Sequence, residues 1–130
     1  MNIYALSTGP GLSGIAIIRV SGPETDKIVK LLTNEEIPKP RVATLRKINK
    51  INTSELIDEG IILWFPGPES YTGEDMAEFH IHGSKAVIDA LHHSISKIEN
   101  CRLAEPGEFT KLAFQNGKIN LLKAESIADL

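Results

Sequence analysis

The chain has 130 residues, of which 42% are apolar and 24% are charged, and its formal net charge is -3. These values predict one soluble globular domain with a buried core. They give no indication of a broad nucleic-acid-binding face, which would need a surplus of basic residues. The single cysteine, Cys101, cannot form an internal disulfide, and this fits a reducing compartment. No signal-peptide pattern and no apolar run of about 20 residues is found, so we expect a cytoplasmic protein that does not enter a membrane.

The first 40 residues predict two strands followed by a helix. Residues 3–8 are strand-like, and Gly9 to Gly14 then read G-x-G-x-x-G. That glycine pattern binds a dinucleotide only where a helix follows directly. Residues 15–20, IAIIRV, are instead β-branched and strand-like, so we interpret the glycines as a hairpin loop. A helix with one apolar stripe is predicted to begin near Glu24.

The rest of the chain alternates strands and helices. Residues 43–51 predict an outer strand, and the continuous apolar run 60–65 predicts a central strand that is covered on both faces. The clearest helix spans 84–98, a short strand is expected at 102–104, and a second short helix lies between Pro106 and Gly117. This order predicts an α+β fold, in which helices pack mainly on one side of a mixed sheet.

The stretch from Ser70 to Gly83, SYTGEDMAEFHIHG, predicts a strand with two different faces. Its side chains alternate with the period of two that a strand requires. Apolar side chains fall on one face (Ala77, Phe79 and Ile81), and titratable side chains fall on the other (Glu78, His80 and His82). Such a row beside two glycines indicates the floor of a site, although a half-exposed strand with incidental polar residues gives the same pattern.

Two kinds of site fit this row. Glu78, His80 and His82 could bind zinc, although a strand of this type normally needs a further ligand from elsewhere. Alternatively, the carboxylate of Glu78 could accept two hydrogen bonds from the planar N–H/NH2 edge of a pterin or a guanine. Arg19 and Lys118 would then hold carboxylates or a carbonyl oxygen of that ligand.

Two other groups of reactive side chains give weaker indications. Cys101 has no histidine at a telling spacing, and we expect it to be inert rather than a nucleophile. His92 and His93 are neighbours on the predicted helix and point in different directions. We therefore interpret both as ordinary residues of the helix surface.

Four blocks of the sequence together resemble the start of the MnmE (TrmE) family of tRNA modification GTPases. In chain order they are GPGLSGIAIIRVSG, LWFPGPESYTGEDMAEFHIHG, AEPGEFTKLAFQNGKINL and AESIADL. The likeness covers essentially the whole chain. The combination of LWFPGP, YTGED and PGEFT at these separations is specific, whereas a single block would not be.

The resemblance implies a folate-binding module, similar in fold to the tetrahydrofolate-binding module of aminomethyltransferases. In the MnmE (TrmE) family this domain binds 5-formyl-tetrahydrofolate, a reduced folate, and forms a constitutive homodimer. By matching motifs, Arg19, Glu78 and Lys118 carry over as folate contacts. His82 matches the histidine that precedes a glycine in the family, whereas no role carries over to His80.

The resemblance also implies partners of the full-length family members, which need more than the residues of this chain. The full-length family works with the flavoprotein MnmG on C5 of the wobble uridine of certain tRNAs. Its nucleotide-hydrolysing G domain, with GTP, Mg²⁺ and K⁺, is not found here, because the chain contains no G-x-x-x-x-G-K-[ST] motif. We expect residues 1–118 to form the folate-binding and dimerisation domain and 119–130 to begin a truncated helical domain.

These observations leave three hypotheses. The leading one is a folate-binding and dimerising domain of a tRNA modification GTPase that is not catalytic by itself. The second is a small metal-dependent hydrolase built on Glu78, His80 and His82. The third is a purely structural dimerisation domain that binds no ligand.

Overall fold

The computed structural model describes residues 1–7 and 14–119, and these residues form six strands and three helices. In chain order the elements are β1 (Asn2–Leu6), β2 (Ile15–Ser21), α1 (Thr25–Thr33), β3 (Thr44–Asn49), β4 (Leu56–Phe65), β5 (Met76–His82), α2 (Lys85–Ser96), β6 (Cys101–Leu103) and α3 (Glu108–Gln115). Most of the predicted glycine loop lies outside the described residues, as do residues 120–130 of the segment that we expect to begin a helical domain.

The strands form one mixed sheet in the order β3-β4-β5-β2-β1-β6. Every neighbouring pair is antiparallel except β1 and β6, which run parallel. The prediction of an α+β fold with a mixed sheet is therefore confirmed. The two strands at the centre are β5 and β2, which pair over their full lengths from Ile15 opposite His82 to Ser21 opposite Met76.

One face of the sheet, called here the covered face, carries the hydrophobic core. Alternate residues of the strands point into it, as the period of two requires. Helices α1 and α2 lie over this face and bury their apolar stripes against it. The core side chains include Ile18, Val20, Ile62, Ala77, Phe79 and Ile81 from the strands, Ile28, Val29 and Leu32 from α1, and Leu91 and Ile95 from α2.

The other face, called here the open face, carries the intervening residues. Helix α3 is the exception to the one-sided arrangement, because its Phe109 ring lies 5.8 Å from the guanidinium carbon of Arg19. Arg19 sits between the core residues Ile18 and Val20 along β2 and therefore points away from the core. Two helices thus cover one face of the sheet, and α3 lies at one end of the open face.

Two details of the sequence interpretation are wrong. Strand β4 is second from the edge, and Ile61 and Leu63 on its open side are half-buried, so the strand is not covered on both faces. The apolar side chains on the open side of β4 are covered only in part, whereas those on the other side are buried in the core. His92 is not a surface residue, because its half-buried ring packs edge-on against Tyr4 with a centroid distance of 5.4 Å.

Among the described residues, no helix has the length and apolarity needed to cross a bilayer.

Candidate binding site on the open sheet face

Arg19 and Glu78 form the centre of the candidate site. They are directly opposite each other on β2 and β5, so their side chains leave the sheet side by side. The distance from Arg19 Nη2 to Glu78 Oε2 is 3.3 Å, and the two side chains are 28% and 18% exposed. The structure therefore brings together two of the three predicted folate contacts, and it shields both of them from most of the solvent.

His80 supplies a second contact to the same carboxylate. Its Nε2 lies 3.0 Å from Glu78 Oε1, and the carboxylate favours the tautomer in which Nε2 carries the proton and donates. Each oxygen of Glu78 thus has a different partner in the protein. A carboxylate oxygen offers about two lone-pair sites, so one on each oxygen is left for a ligand.

A small cavity lies directly beside this carboxylate. Its volume is about 90 Å³, and its walls are Arg19, Phe65, Tyr71, Met76 and Glu78. Pockets that enclose a drug-sized ligand are larger, about 300–1,000 Å³. This cavity therefore accepts the edge of a flat ring rather than a whole folate.

Two aromatic rings hold the guanidinium of Arg19. Its central carbon is 5.6 Å from the centroid of Tyr71 and 5.8 Å from that of Phe109. Both distances fall within the range of cation–π attraction. The Nε of Arg19 is buried and makes no hydrogen bond within the part of the chain that the structure describes, so Arg19 retains donor capacity beyond its ion pair.

The turn that carries Tyr71 is tied to both β2 and α3. The hydroxyl of Tyr71 lies 3.1 Å from Oγ1 of Thr110, and Asn116 Nδ2 donates to the carbonyl oxygen of Thr72 over 2.6 Å. Oγ1 of Thr72 is in turn 2.8 Å from Oγ of the buried Ser21. These contacts fix the aromatic wall of the cavity relative to the sheet.

Lys118 comes to the edge of this turn. Gly73 has a φ of +86°, and a Cβ built there would be 3.4 Å from Cε of Lys118. Lys118 is exposed, and within residues 1–7 and 14–119 its ammonium group forms no ion pair. The structure places Lys118 against the turn that forms the cavity wall, but it shows no direct contact between Lys118 and Glu78.

His82 has a different partner from the other two members of the titratable row. Both oxygens of Asp58 lie within 3.0 Å of its Nδ1, and one of them also accepts the backbone N–H of His82. Burial alone would raise the pKa of Asp58, but these hydrogen bonds outweigh it and leave the pKa below its usual range. Among the described residues, no group of three His, Cys, Asp or Glu side chains is arranged to hold a metal ion. The site predicted from Glu78, His80 and His82 is therefore split into two separate pairs.

A second, more open cleft lies further along the open face. Its volume is about 220 Å³, and it lies between Leu45 and Ile61 on one side and His80 and His82 on the other. Gly60 is part of its floor, where a Cβ would be 2.2 Å from the carbonyl oxygen of His80. Glycine is required at this position because β4 and β5 approach each other so closely.

The sequence interpretation missed the aromatic parts of the site. Phe65, Tyr71 and Phe109 line the cavity or flank Arg19, and Asp58 orients His82. Tyr71 and Phe109 do occur in the YTGED and PGEFT blocks, which was the available signal. Nothing in the spacing of these blocks shows that both rings meet Arg19.

The remaining reactive group, Cys101, is separate from this site. It lies on the edge strand β6, next to β1. Burial is the main cause that raises the pKa of its thiol, and the charge of Glu24 adds to the effect. A thiol with a raised pKa forms little of the reactive thiolate.

Known proteins resemble this chain along almost its whole length. The family model described as GTP-binding protein TrmE N-terminus matches residues 2–118. The chain is 88% identical to the tRNA modification GTPase MnmE of Pelagibacter ubique over 130 residues, which is 100% of this chain and 29% of that protein. It is 50% identical to the protein of the same name from Phenylobacterium zucineum, over 98% of this chain and 28% of that protein. It is 46% identical to the mitochondrial 5-taurinomethyluridine-tRNA synthase subunit GTPB3 of Homo sapiens, over 98% of this chain and 26% of that protein. The chain therefore spans between a quarter and a third of the length of these relatives.

Proposed function

Because the chain belongs to the family of the TrmE GTP-binding protein amino terminus, we propose that it is the folate-binding and dimerising domain of a tRNA modification GTPase. The names of its relatives support the tRNA part of this proposal. The ligand that we propose for the domain is 5-formyl-tetrahydrofolate. Modification of the wobble uridine together with MnmG, and hydrolysis of GTP, would belong to the full-length protein.

The carboxylate of Glu78 is the observation that supports folate binding best. It is mostly buried, lies beside a cavity bounded by Phe65 and Tyr71, and keeps one acceptor site on each oxygen. The pterin ring of a folate is flat and has an N–H and an NH2 group on one edge. Such an edge can donate to both oxygens of a carboxylate at once, which gives short, charge-assisted hydrogen bonds.

The size of the cavity suggests how the rest of the ligand would lie. Since about 90 Å³ holds only the edge of the ring, the aminobenzoyl and glutamate parts would extend over the open face. Arg19 has donor capacity left, and Lys118 has no ion pair with a described residue. Both can attract the carbonyl oxygen or the carboxylates of the folate.

Calorimetry of the chain with 5-formyl-tetrahydrofolate tests this proposal. The wild type should bind, and Glu78→Ala should lose about 1–3 kcal/mol of binding free energy because the pterin donors are left unpaired. Glu59→Ala is the matched control, since Glu59 is an exposed carboxylate on β4 outside the small cavity. This control should bind within about twofold of the wild type.

Two outcomes would contradict the proposal in different ways. If the folded wild type gives no heat beyond dilution, folate binding is wrong and the structural hypothesis gains support. If Glu59→Ala weakens binding as much as Glu78→Ala does, the ligand binds elsewhere on the open face. Sedimentation equilibrium tests the homodimer separately, and a monomer at micromolar concentration would contradict dimerisation without affecting the folate site.

A further inference from the structure

We propose that His80 is a positioning residue, which holds the carboxylate of Glu78 in the plane that selects a 2-amino-4-oxo ring edge. This inference rests on the proposed function, because it concerns how the folate site distinguishes one flat ring from another. The resemblance to the family assigns no role to His80.

The torsion that turns a glutamate carboxylate is inherently loose. The terminal χ3 of glutamate is a broad, roughly twofold torsion rather than a set of sharp wells. A single contact to one oxygen would therefore leave the plane of the carboxylate poorly defined. Glu78 has two contacts, to Arg19 Nη2 through Oε2 and to His80 Nε2 through Oε1. Because the two contacts involve different oxygens, together they fix the plane.

The second contact is the shorter one. His80 Nε2 lies 3.0 Å from Glu78, whereas Arg19 Nη2 lies 3.3 Å from it. The cation–π contacts of Arg19 with Tyr71 and Phe109 hold the guanidinium beside the cavity, so Arg19 has other roles to fill there. The imidazole of His80 makes no other side-chain hydrogen bond to a described residue. Among the described residues, Glu78 is thus the only polar partner of the His80 ring.

The backbone of His80 is held firmly enough for this task. His80 pairs with Ile17 of β2 and with Ile61 of β4, so it has a strand neighbour on both sides. Its carbonyl oxygen lies so close to Gly60 that a Cβ there would approach to 2.2 Å. A side chain anchored in this way can position another one, since its own main chain has little freedom to move.

Two ring ligands that differ in one group provide the test. The first is a 2-amino-4-oxo pteridine, and the second is the 2,4-dioxo analogue, in which a carbonyl replaces the amino group. The carbonyl would face the carboxylate with a lone pair instead of a donor. We expect the wild type to prefer the amino ligand by about 10–100-fold, because a hydrogen bond to a charged group is lost in the analogue.

Variants of His80 should change this preference rather than the general affinity. His80→Ala removes the donor, and the preference should fall by about 5-fold. His80→Gln keeps an N–H donor at the end of a flexible side chain and should restore most of the preference. His93→Ala is the control, because His93 is exposed on α2, over the covered face, and should leave the preference unchanged.

The outcomes separate this inference from the proposed function. A wild type that binds neither ring, or both equally, contradicts recognition of the ring edge by Glu78 and overturns this inference, whereas the proposed function itself fails only if 5-formyl-tetrahydrofolate does not bind. A wild type that prefers the amino ligand, together with His80→Ala showing the same preference, overturns the inference alone. Equal weakening of both ligands in His80→Ala, without rescue by His80→Gln, would also overturn it, because that result indicates a merely structural role. If His80→Ala does not fold, His80→Leu fills the same space without a donor and replaces it.

Discussion

The covered face and the open face of the sheet are built from the same strands, yet they differ in almost every physical respect. Phe79 and Glu78 are neighbours on β5, and the first is fully buried in the core whereas the second lies in an ion pair beside a cavity. The side chains of the covered face are shielded from water by the two helices that pack on them. Those of the open face keep unused hydrogen-bonding capacity. Two adjacent residues of one strand therefore have different roles: Phe79 stabilises the core, and Glu78 belongs to the candidate binding site.

The two faces should also differ in what they contribute to folding. Fully burying an aromatic or large aliphatic side chain contributes about 1.5–3 kcal/mol each. A partly exposed ion pair such as that of Arg19 and Glu78 contributes about 0–1 kcal/mol. We therefore expect substitutions on the covered face to unfold the chain, and those on the open face to affect ligands instead.

The largest effect is expected from Phe79→Ala. Phe79 is 0% exposed and belongs to the central strand β5, so its removal leaves a cavity in the core. The free energy of unfolding should fall by about 3–5 kcal/mol, as measured by urea denaturation. A loss below about 1 kcal/mol would show that the helices do not pack tightly on the covered face, and the contrast between the faces would fail.

Gly60→Ala should have an intermediate effect that reaches both faces. The new Cβ would be 2.2 Å from the carbonyl oxygen of His80, so β4 and β5 must move apart. We expect a loss of about 1–3 kcal/mol in unfolding free energy, together with weaker binding of the amino pteridine, because His80 shifts. Unchanged stability would mean that the two strands are less closely apposed than the structure shows.

The smallest predicted effect depends on pH and involves His92 on the covered side. Burial lowers the pKa of His92 despite the opposing charge of Asp89, so the folded chain favours the neutral ring. The unfolded chain then binds the proton more readily, and stability is lost as the pH falls below the usual histidine value of about 6.5. Between pH 7.5 and 5.5 this contribution can reach at most about 1.4 kcal/mol, because pH 5.5 lies one unit below the usual histidine pKa.

A substitution isolates this contribution from those of the other histidines. His92→Leu keeps an apolar side chain against Tyr4 but cannot titrate. Urea unfolding at the two pH values should show a smaller loss of stability for the variant than for the wild type. An equal loss in both proteins would mean that His92 is already solvated in the folded state.

Much of the fold was predictable because local patterns determine it. The alternation in residues 76–82 is a strand period, and it correctly assigned Phe79 to the core and Glu78 to the opposite face. Ser84 was correctly placed at the start of α2, where its Oγ accepts the N–H of Val87 over 3.2 Å. Such features depend on residues that are close in sequence.

The errors occurred where contacts are distant in sequence. The continuous apolar run of β4 did not reveal that only one of its faces is covered by helices. The partner of His82 was missed because Asp58 lies 24 residues earlier and meets it only through strand pairing. His92 was assigned to the surface because helical spacing does not show that β1 brings Tyr4 against it.

The candidate site shows the same division. The sequence alone predicted Arg19, Glu78 and Lys118 as folate contacts, through motifs that also carry the family resemblance, and that role stays a prediction. It also determined that Glu78 and His80 share one face of a strand. Only the tertiary structure decided that Arg19 pairs with Glu78, that Tyr71 and Phe109 enclose Arg19, and that His82 turns to Asp58. The physical reason is that side-chain direction along a strand follows from local geometry, whereas the partner that a polar group meets depends on strand register and on how the chain folds back over the sheet.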